Sequence, residues 1–269
     1  NMKNLTLKTI NKVRLNRIAK LKTPTSLVFF ITNNCNLRCK HCFYWKELNK
    51  NNELTLEQIG KIVNSFKDSY GVVLTGGEPF LWQDIVEVCK ILSRKFKIIR
   101  IATNGFFTEK ISKSVKEISK YFSGMTVQLS IDGLEEVHDN IRGVNKAFDN
   151  AINTLAELKK IDNLNVEVVT TISTENYVHV EDLIKYLSQF KVKQNFIITR
   201  GQDYGVYGLS KDIATDINPK EDVFMPVNEL KKLYLRLKNL NDASEFRFWS
   251  DYNQLIFEKS IEMLENKAK

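Results

Sequence analysis

The sequence predicts an α/β fold with a sheet of parallel strands. Six short apolar runs lie within residues 27–199, and segments with helical periodicity separate them. Parallel neighbours require a crossover of a dozen or more residues, and each gap between the runs is long enough for one. A chain of 269 residues can also bury the core that such a sheet needs. This spacing allows either an open doubly wound sheet or a curved, barrel-like one.

The strands and helices are expected to alternate regularly along the chain. We expect strands at residues 27–32, 72–75, 98–102, 126–131, 166–172 and 195–199. Helices are expected from residue 55 onward and at residues 84–93, 110–121, 147–160 and 180–190. The first of them begins at Thr55-Leu-Glu-Gln58, which has the sequence of a capping box, in which the threonine and glutamine side chains bond reciprocally to each other's backbone N–H.

The two ends of the chain differ from this alternating part. Residues 3–21 form a basic segment with weak helical amphipathicity, which Pro24 ends. Beyond residue 200 a polar, loop-like stretch at 201–219 precedes helices expected at 228–240 and 254–266. We therefore divide the chain into an N-terminal helical segment, a core barrel, and a C-terminal loop and helical region, at residues 1–24, 25–200 and 201–269.

Composition and net charge exclude only a few classes of function. The net charge is +8, from 40 Lys and Arg against 32 Asp and Glu. These basic residues are mostly lysines spread along helices, without a dense basic run or interleaved aromatics, so we do not expect a nucleic-acid partner. The longest apolar run, residues 27–31, is too short to cross a bilayer. Clustered cysteines in a chain of this size favour metal binding in a reducing compartment, the cytoplasm, over a disulfide framework.

Three of the four cysteines form a compact motif directly after the first strand. Cys35, Cys39 and Cys42 have the spacing C-x3-C-x2-C. Three thiolates on a four-iron cluster leave one iron with an open position, where chemistry can occur. Zinc is the alternative, but a structural zinc site needs four ligands and His41, adjacent to Cys42, is a poor fourth. Cys89 is isolated on a predicted helix, where we expect it to be a small buried hydrophobic side chain.

Unusual sequences also follow the next three strands. They are Gly76-Gly77-Glu78-Pro79, Thr103-Asn104-Gly105 and Ser130-Ile131-Asp132-Gly133. Each taken alone is typical of a turn. The carboxyl ends of parallel strands meet at one edge of a sheet, which is where α/β proteins place their ligands. Four motifs at this edge therefore predict a single site.

Taken together, these motifs resemble the radical S-adenosylmethionine (SAM) superfamily. Cys35, Cys39 and Cys42 match its C-x3-C-x-Φ-C signature, with His41 in the place usually held by an aromatic residue, and the Gly-Gly-Glu-Pro run matches its second motif. The resemblance covers about residues 25–200. It implies a partial (β/α)6 barrel and a [4Fe–4S] cluster whose open iron is chelated by SAM. It also implies reductive cleavage of SAM to a 5′-deoxyadenosyl radical that abstracts hydrogen from a substrate.

The resemblance assigns SAM contacts at several strand ends. Gly76 and Gly77 would let the backbone approach the methionine part of SAM, and Glu78 would accept a charge-assisted hydrogen bond from its ammonium group. His41 is a further expected cofactor contact. Asn104 is expected either at the ribose or substrate, or simply within an Asn-Gly turn.

A longer segment, residues 130–143, is similar to radical SAM enzymes of the SPASM and twitch types, which include peptide modifiers. In those enzymes the positions of Ser130 and Arg142 hold the SAM carboxylate. The alternative for Arg142 is an ion pair with Asp139. We expect His138 and Asp139 to be structural residues that fix the loop carrying Arg142.

The same resemblance implies the substrate and partners. A peptide or protein side chain is the leading substrate class, and a tetrapyrrole or other small metabolite is the alternative. A flavodoxin or ferredoxin would supply the electron. Relatives of this type often bind further clusters through C-terminal cysteines, and none follows Cys89 here. We therefore expect a shortened chain or an enzyme with one cluster, and keep an iron–sulfur electron carrier and a zinc-containing nucleic-acid-binding module as non-enzymatic alternatives.

Overall fold

A computed structural model describes residues 26–50, 53–66, 69–199 and 223–267. The helical segment expected at residues 3–21 and the loop expected at residues 201–219 lie outside the described residues. All six expected strands and the two expected C-terminal helices lie within them.

Six strands form one sheet in which every neighbouring pair is parallel. The strands are β1 (Ser26–Thr32), β2 (Ser69–Gly76), β3 (Phe96–Thr103), β4 (Gly124–Ser130), β5 (Asn165–Ile172) and β6 (Lys193–Ile198). Their order in the sheet is their order in the chain. A doubly wound sheet reverses its strand order at a switch point, whereas a barrel keeps adding strands in one direction. The order therefore confirms the partial (β/α)6 barrel.

Eight α-helices accompany the sheet in the described part of the chain. They are α1 (Leu56–Ser65), α2 (Ile85–Ser93), α3 (Thr108–Ile118), α4 (Glu135–Arg142), α5 (Ala147–Leu158), α6 (Val180–Ser188), α7 (Val227–Ala243) and α8 (Asp251–Lys267). The capping box of α1 is confirmed, because Thr55 Oγ1 accepts from Gln58 N–H and Gln58 Oε1 accepts from Thr55 N–H. Within these ranges no helix is long and apolar enough to cross a membrane.

The sequence did not predict α4. Its buried residues are His138, Ile141 and Arg142, so two of the three positions on its inner face are polar. Helical periodicity is detected from apolar residues, and this helix has too few of them. The helix ends at Gly143, which has a left-handed φ of 70°.

The main core lies between the sheet and the helices that cover it, and Cys89 is buried within it as expected. A second apolar cluster joins α7 and α8 to the edge strand β6. Trp249 is its centre, with ring contacts to Phe196, Tyr234 and Phe257 at centroid distances of 5.1, 5.9 and 5.5 Å. A backbone hydrogen bond also connects β6 to the segment before α8, because Gln194 N–H donates to Phe248 O at 2.8 Å.

Replacing Trp249 with alanine should lower the free energy of unfolding by about 3–5 kcal/mol, because a buried aromatic side chain is lost and a cavity remains. Tyr252→Ala is the control, since Tyr252 on α8 is 58% exposed whereas Trp249 is 1% exposed. The control should change stability by less than about 0.5 kcal/mol. Urea unfolding measures both, and equal losses would contradict the described packing.

Candidate cofactor site at the carboxyl ends of the strands

The cysteine loop lies directly on the carboxyl end of α4. Arg38 N–H donates to Arg142 O at 3.0 Å, and Lys40 N–H donates to Ile141 O at 2.9 Å. Gly143 permits this contact, because a Cβ there would lie 2.8 Å from Arg38 O. The loop that carries the three cysteines is therefore positioned by the segment that follows β4.

The two glycines after β2 pack backbone to backbone against the start of the cysteine loop. A Cβ on Gly76 would lie 2.2 Å from Thr32 O, and one on Gly77 would lie 2.2 Å from Asn34 O. Gly77 N–H donates to Thr32 O at 2.8 Å, and Glu78 N–H donates to Asn34 O at 2.7 Å. Neither position therefore has room for a side chain, because the backbone of the cysteine loop already occupies that space.

The Glu78 carboxylate ties the end of β2 to the end of β3. It is buried, and its Oε1 accepts hydrogen bonds from Phe80 N–H at 3.1 Å and Thr103 Oγ1 at 2.8 Å. Its Oε2 accepts from Asn104 N–H at 2.7 Å. Burial raises the pKa of Glu78 to about 7, although these three donors act in the opposite direction. A carboxylate has about four acceptor positions, so one remains for a further donor.

Asn104 uses both ends of its side-chain amide within the protein. Its Oδ1 accepts from Phe106 N–H at 2.9 Å, and its Nδ2 donates to Asn36 Oδ1 at 2.9 Å. The first bond forms the turn after β3, and the second connects that turn to the cysteine loop. These contacts agree with the expected turn role of Asn104.

Arg142 points from the end of α4 to a buried carboxylate and a cysteine. Its Nη2 lies 2.7 Å from Asp132 Oδ2, and its Nη1 lies 3.6 Å from Cys39 Sγ. Arg142 is 7% exposed and Asp132 is 0% exposed. The expected alternative partner, Asp139, instead accepts hydrogen bonds from two backbone N–H groups at the start of α5. The ion pair of Arg142 is therefore with Asp132, a residue whose role the sequence did not predict.

Two neutral histidines flank Asp132. His138 Nδ1 accepts from Asp132 N–H at 3.0 Å, and His41 Nε2 lies 3.8 Å from Asp132 Oδ2. Burial lowers the pKa of His41 to about 4 and that of His138 to about 3. Burial alone would raise the pKa of Asp132, but the positive charge of the Arg142 guanidinium outweighs it and keeps that pKa below its ordinary value. At neutral pH the carboxylate is charged and both imidazoles are uncharged.

The environment of the three cysteines suits iron–sulfur ligands. Leu37 N–H donates to Cys35 Sγ at 3.4 Å, and Arg142 reaches Cys39. Hydrogen bonds of this kind to cysteine sulfur tune iron–sulfur clusters. Burial raises the pKa of Cys35 to about 11 and that of Cys42 to about 12, so metal loading must release protons. In the described ranges no three His, Cys, Asp or Glu side chains are placed to hold a single metal ion.

Comparison with known proteins agrees with this geometry. Residues 29–187, more than half of the chain, match the model of the Radical SAM superfamily. The chain belongs to this superfamily. Membership indicates an enzyme, and the family implies SAM and an iron–sulfur cluster as cofactors.

Two curated relatives match different shares of this radical SAM protein. Fe-coproporphyrin III synthase of Methanosarcina barkeri (strain Fusaro / DSM 804) is 30% identical over 65% of this chain and 44% of its own length. The sporulation killing factor maturation protein SkfB of Bacillus subtilis (strain 168) is 27% identical over 85% of this chain and 55% of its own length. The chain thus spans about half the length of these relatives.

Among solved structures, Streptococcus suis SuiB bound to S-adenosylmethionine has the same fold. It superposes with a TM-score of 0.66 and 19% identity, over 93% of this chain and 56% of that chain. SuiB has also been solved bound to the precursor peptide SuiA, and that structure superposes with a TM-score of 0.65.

Gly77→Ala should lower the free energy of unfolding by about 2–3 kcal/mol and reduce the iron retained after reconstitution, because its Cβ would displace the cysteine loop. Gly60→Ala is the matched control, since no atom lies within 4 Å of a Cβ at that helical position. It should stabilise α1 by about 0.5–1 kcal/mol and leave iron content unchanged. Thermal unfolding and iron analysis test both, and unchanged iron in Gly77→Ala would contradict the close packing.

Proposed function

We propose that the protein binds a [4Fe–4S] cluster through Cys35, Cys39 and Cys42 and uses it to cleave SAM reductively. With one electron from a reductant, the bound cluster and SAM would supply methionine and a 5′-deoxyadenosyl radical for hydrogen abstraction from the substrate. The observation that carries the proposal is the contact of the cysteine loop with the end of α4, which brings Arg142 to Cys39. An arginine beside an iron–sulfur ligand is well placed for an anionic cofactor group.

The strand-end residues provide the groups that SAM requires. Arg142 and Ser130 would hold its carboxylate, and Arg142 Nε is buried without a hydrogen-bond partner among the described residues. Ser130 is the last residue of β4 and is half-buried. The remaining acceptor position of Glu78 would take the SAM ammonium, at a site bounded by the backbone of Gly76 and Gly77.

His41 and Asn104 have more indirect roles in this proposal. His41 contacts Asp132 and so supports the carboxylate that pairs with Arg142. Asn104 connects the β3 turn to Asn36 in the cysteine loop. Both would shape the cofactor pocket by positioning neighbouring residues.

A peptide or protein side chain is the proposed substrate class. The similarity to the peptide-maturing SkfB extends over 85% of the chain, compared with 65% for Fe-coproporphyrin III synthase. The latter relative supports a tetrapyrrole as the alternative substrate. Deuterium transfer into 5′-deoxyadenosine from labelled candidates distinguishes the two, since only the true substrate donates its hydrogen.

The reducing electron would come from a flavodoxin or ferredoxin. We place the enzyme in the cytoplasm because free cysteine thiols and such donors occur together in a reducing compartment.

Anaerobic reconstitution with iron and sulfide tests the proposed chemistry. We expect reduction with dithionite to give an iron–sulfur EPR spectrum that changes when SAM is added, and to yield 5′-deoxyadenosine when SAM is present. An electron carrier would give the spectrum without the SAM-dependent change, and a zinc protein would give no such spectrum. Reconstituted protein that neither responds to SAM nor forms 5′-deoxyadenosine would overturn the proposal.

Cys39→Ala should abolish iron and sulfide incorporation and 5′-deoxyadenosine formation, because one of the three proposed ligands is lost. Cys89→Ala removes the remaining cysteine, which is buried in the apolar core, and should leave iron content unchanged. Iron and sulfide analysis of both variants checks the ligand assignment. Equal loss in the two would show that the assignment is wrong.

A further inference from the structure

Asp132 makes contacts with three separate parts of the site. Its side chain is fully buried, and Oδ1 accepts from Thr171 N–H at 2.9 Å while Oδ2 faces Arg142 at 2.7 Å. Its backbone O accepts from Asn176 Nδ2 at 2.8 Å. The residue is thus fixed to β5 and to the turn that follows it, and presents one carboxylate oxygen to the arginine.

Arg142 depends on this oxygen because its charge is permanent and buried. A buried guanidinium without a counter-charge is strongly destabilising. Among the described residues, Asp132 is the carboxylate that forms an ion pair with Arg142. The flanking imidazoles of His41 and His138 supply no negative charge, because a histidine side chain is either neutral or positively charged.

We propose that Asp132 is the positioning residue for Arg142. It holds Nη2 of the guanidinium, so that Nη1 faces Cys39 Sγ. The Nε atom, which has no hydrogen-bond partner among the described residues, is then available to the carboxylate of SAM. The inference rests on the proposed function and adds a residue that acts on the cofactor through Arg142.

Asparagine cannot replace Asp132 in this role. The aspartate presents two oxygens: Oδ1 accepts a hydrogen bond from Thr171 N–H, and Oδ2 forms the ion pair with Arg142. An asparagine has one oxygen and one NH₂ group, so either the backbone N–H or the guanidinium would face a donor. Asp132→Asn therefore releases the arginine and also removes a negative charge near the cysteines.

The test is a double-mutant cycle on SAM binding to the oxidised, cluster-loaded protein, measured by calorimetry without turnover. Asp132→Asn should weaken SAM binding about tenfold, the equivalent of one charge-assisted hydrogen bond. It should have no further effect in an Arg142→Met background. The cluster midpoint potential of Asp132→Asn, from EPR-monitored titration, should shift to a more positive value, because a negative charge has been removed.

Asp139→Asn is the matched control. It neutralises an aspartate in the same region that bonds to the α5 backbone rather than to Arg142. It should lower thermal stability but leave SAM affinity and midpoint potential unchanged.

The other possible results distinguish failure of the proposed function from failure of the positioning role of Asp132. Failure of the wild-type protein to bind SAM would refute the proposed function itself, separately from this inference. Wild-type SAM affinity in Asp132→Asn, or an equal loss in both backgrounds, would refute the positioning role. If Asp132→Asn fails to fold or load a cluster, recovery in the Asp132→Asn/Arg142→Met double variant supports the role, and failure of the double variant contradicts it.

Discussion

The site depends on two backbone hydrogen bonds that join the cysteine loop to the end of α4. The loop follows β1 and the helix follows β4, and these strands are three positions apart in the sheet. In a flat sheet that separation would be about 14 Å. Curvature of the sheet and the inward position of α4 bring the two segments into contact. The partial barrel therefore places the three cysteines beside Arg142, which a doubly wound sheet would not do.

A second set of contacts continues around the strand ends. The glycines after β2 pack on the cysteine loop, Glu78 binds the backbone after β3, and Asn104 returns to the loop through Asn36. Glu78 and Asn104 are each hydrogen-bonded to a neighbouring segment of the chain. Burying these polar groups at the strand ends is therefore compatible with a stable fold. The groups left unpartnered among the described residues include Arg142 Nε and His41 Nδ1, both near the cysteines.

Much of this arrangement was predictable from the sequence because the strands are apolar and the motifs follow them directly. The six strands agree with the expected positions to within a few residues at each end. The sequence did not predict α4, since the inner face of that helix is formed by His138 and Arg142 as well as Ile141. It also gave no role to Asp132. Sequence proximity suggested Asp139 as the alternative partner of Arg142, but the fully buried Asp132, held by Thr171, is the residue that the fold brings to the guanidinium.

The contact between the cysteine loop and α4 is tested most directly by backbone amide hydrogen exchange, measured anaerobically with and without the cluster. Because the amides of Arg38 and Lys40 donate to the α4 end, we expect both to exchange far more slowly than in an unstructured peptide, even before the cluster is loaded. Exchange of both amides at the unstructured rate in cluster-free and cluster-loaded protein would contradict this contact and the site built on it.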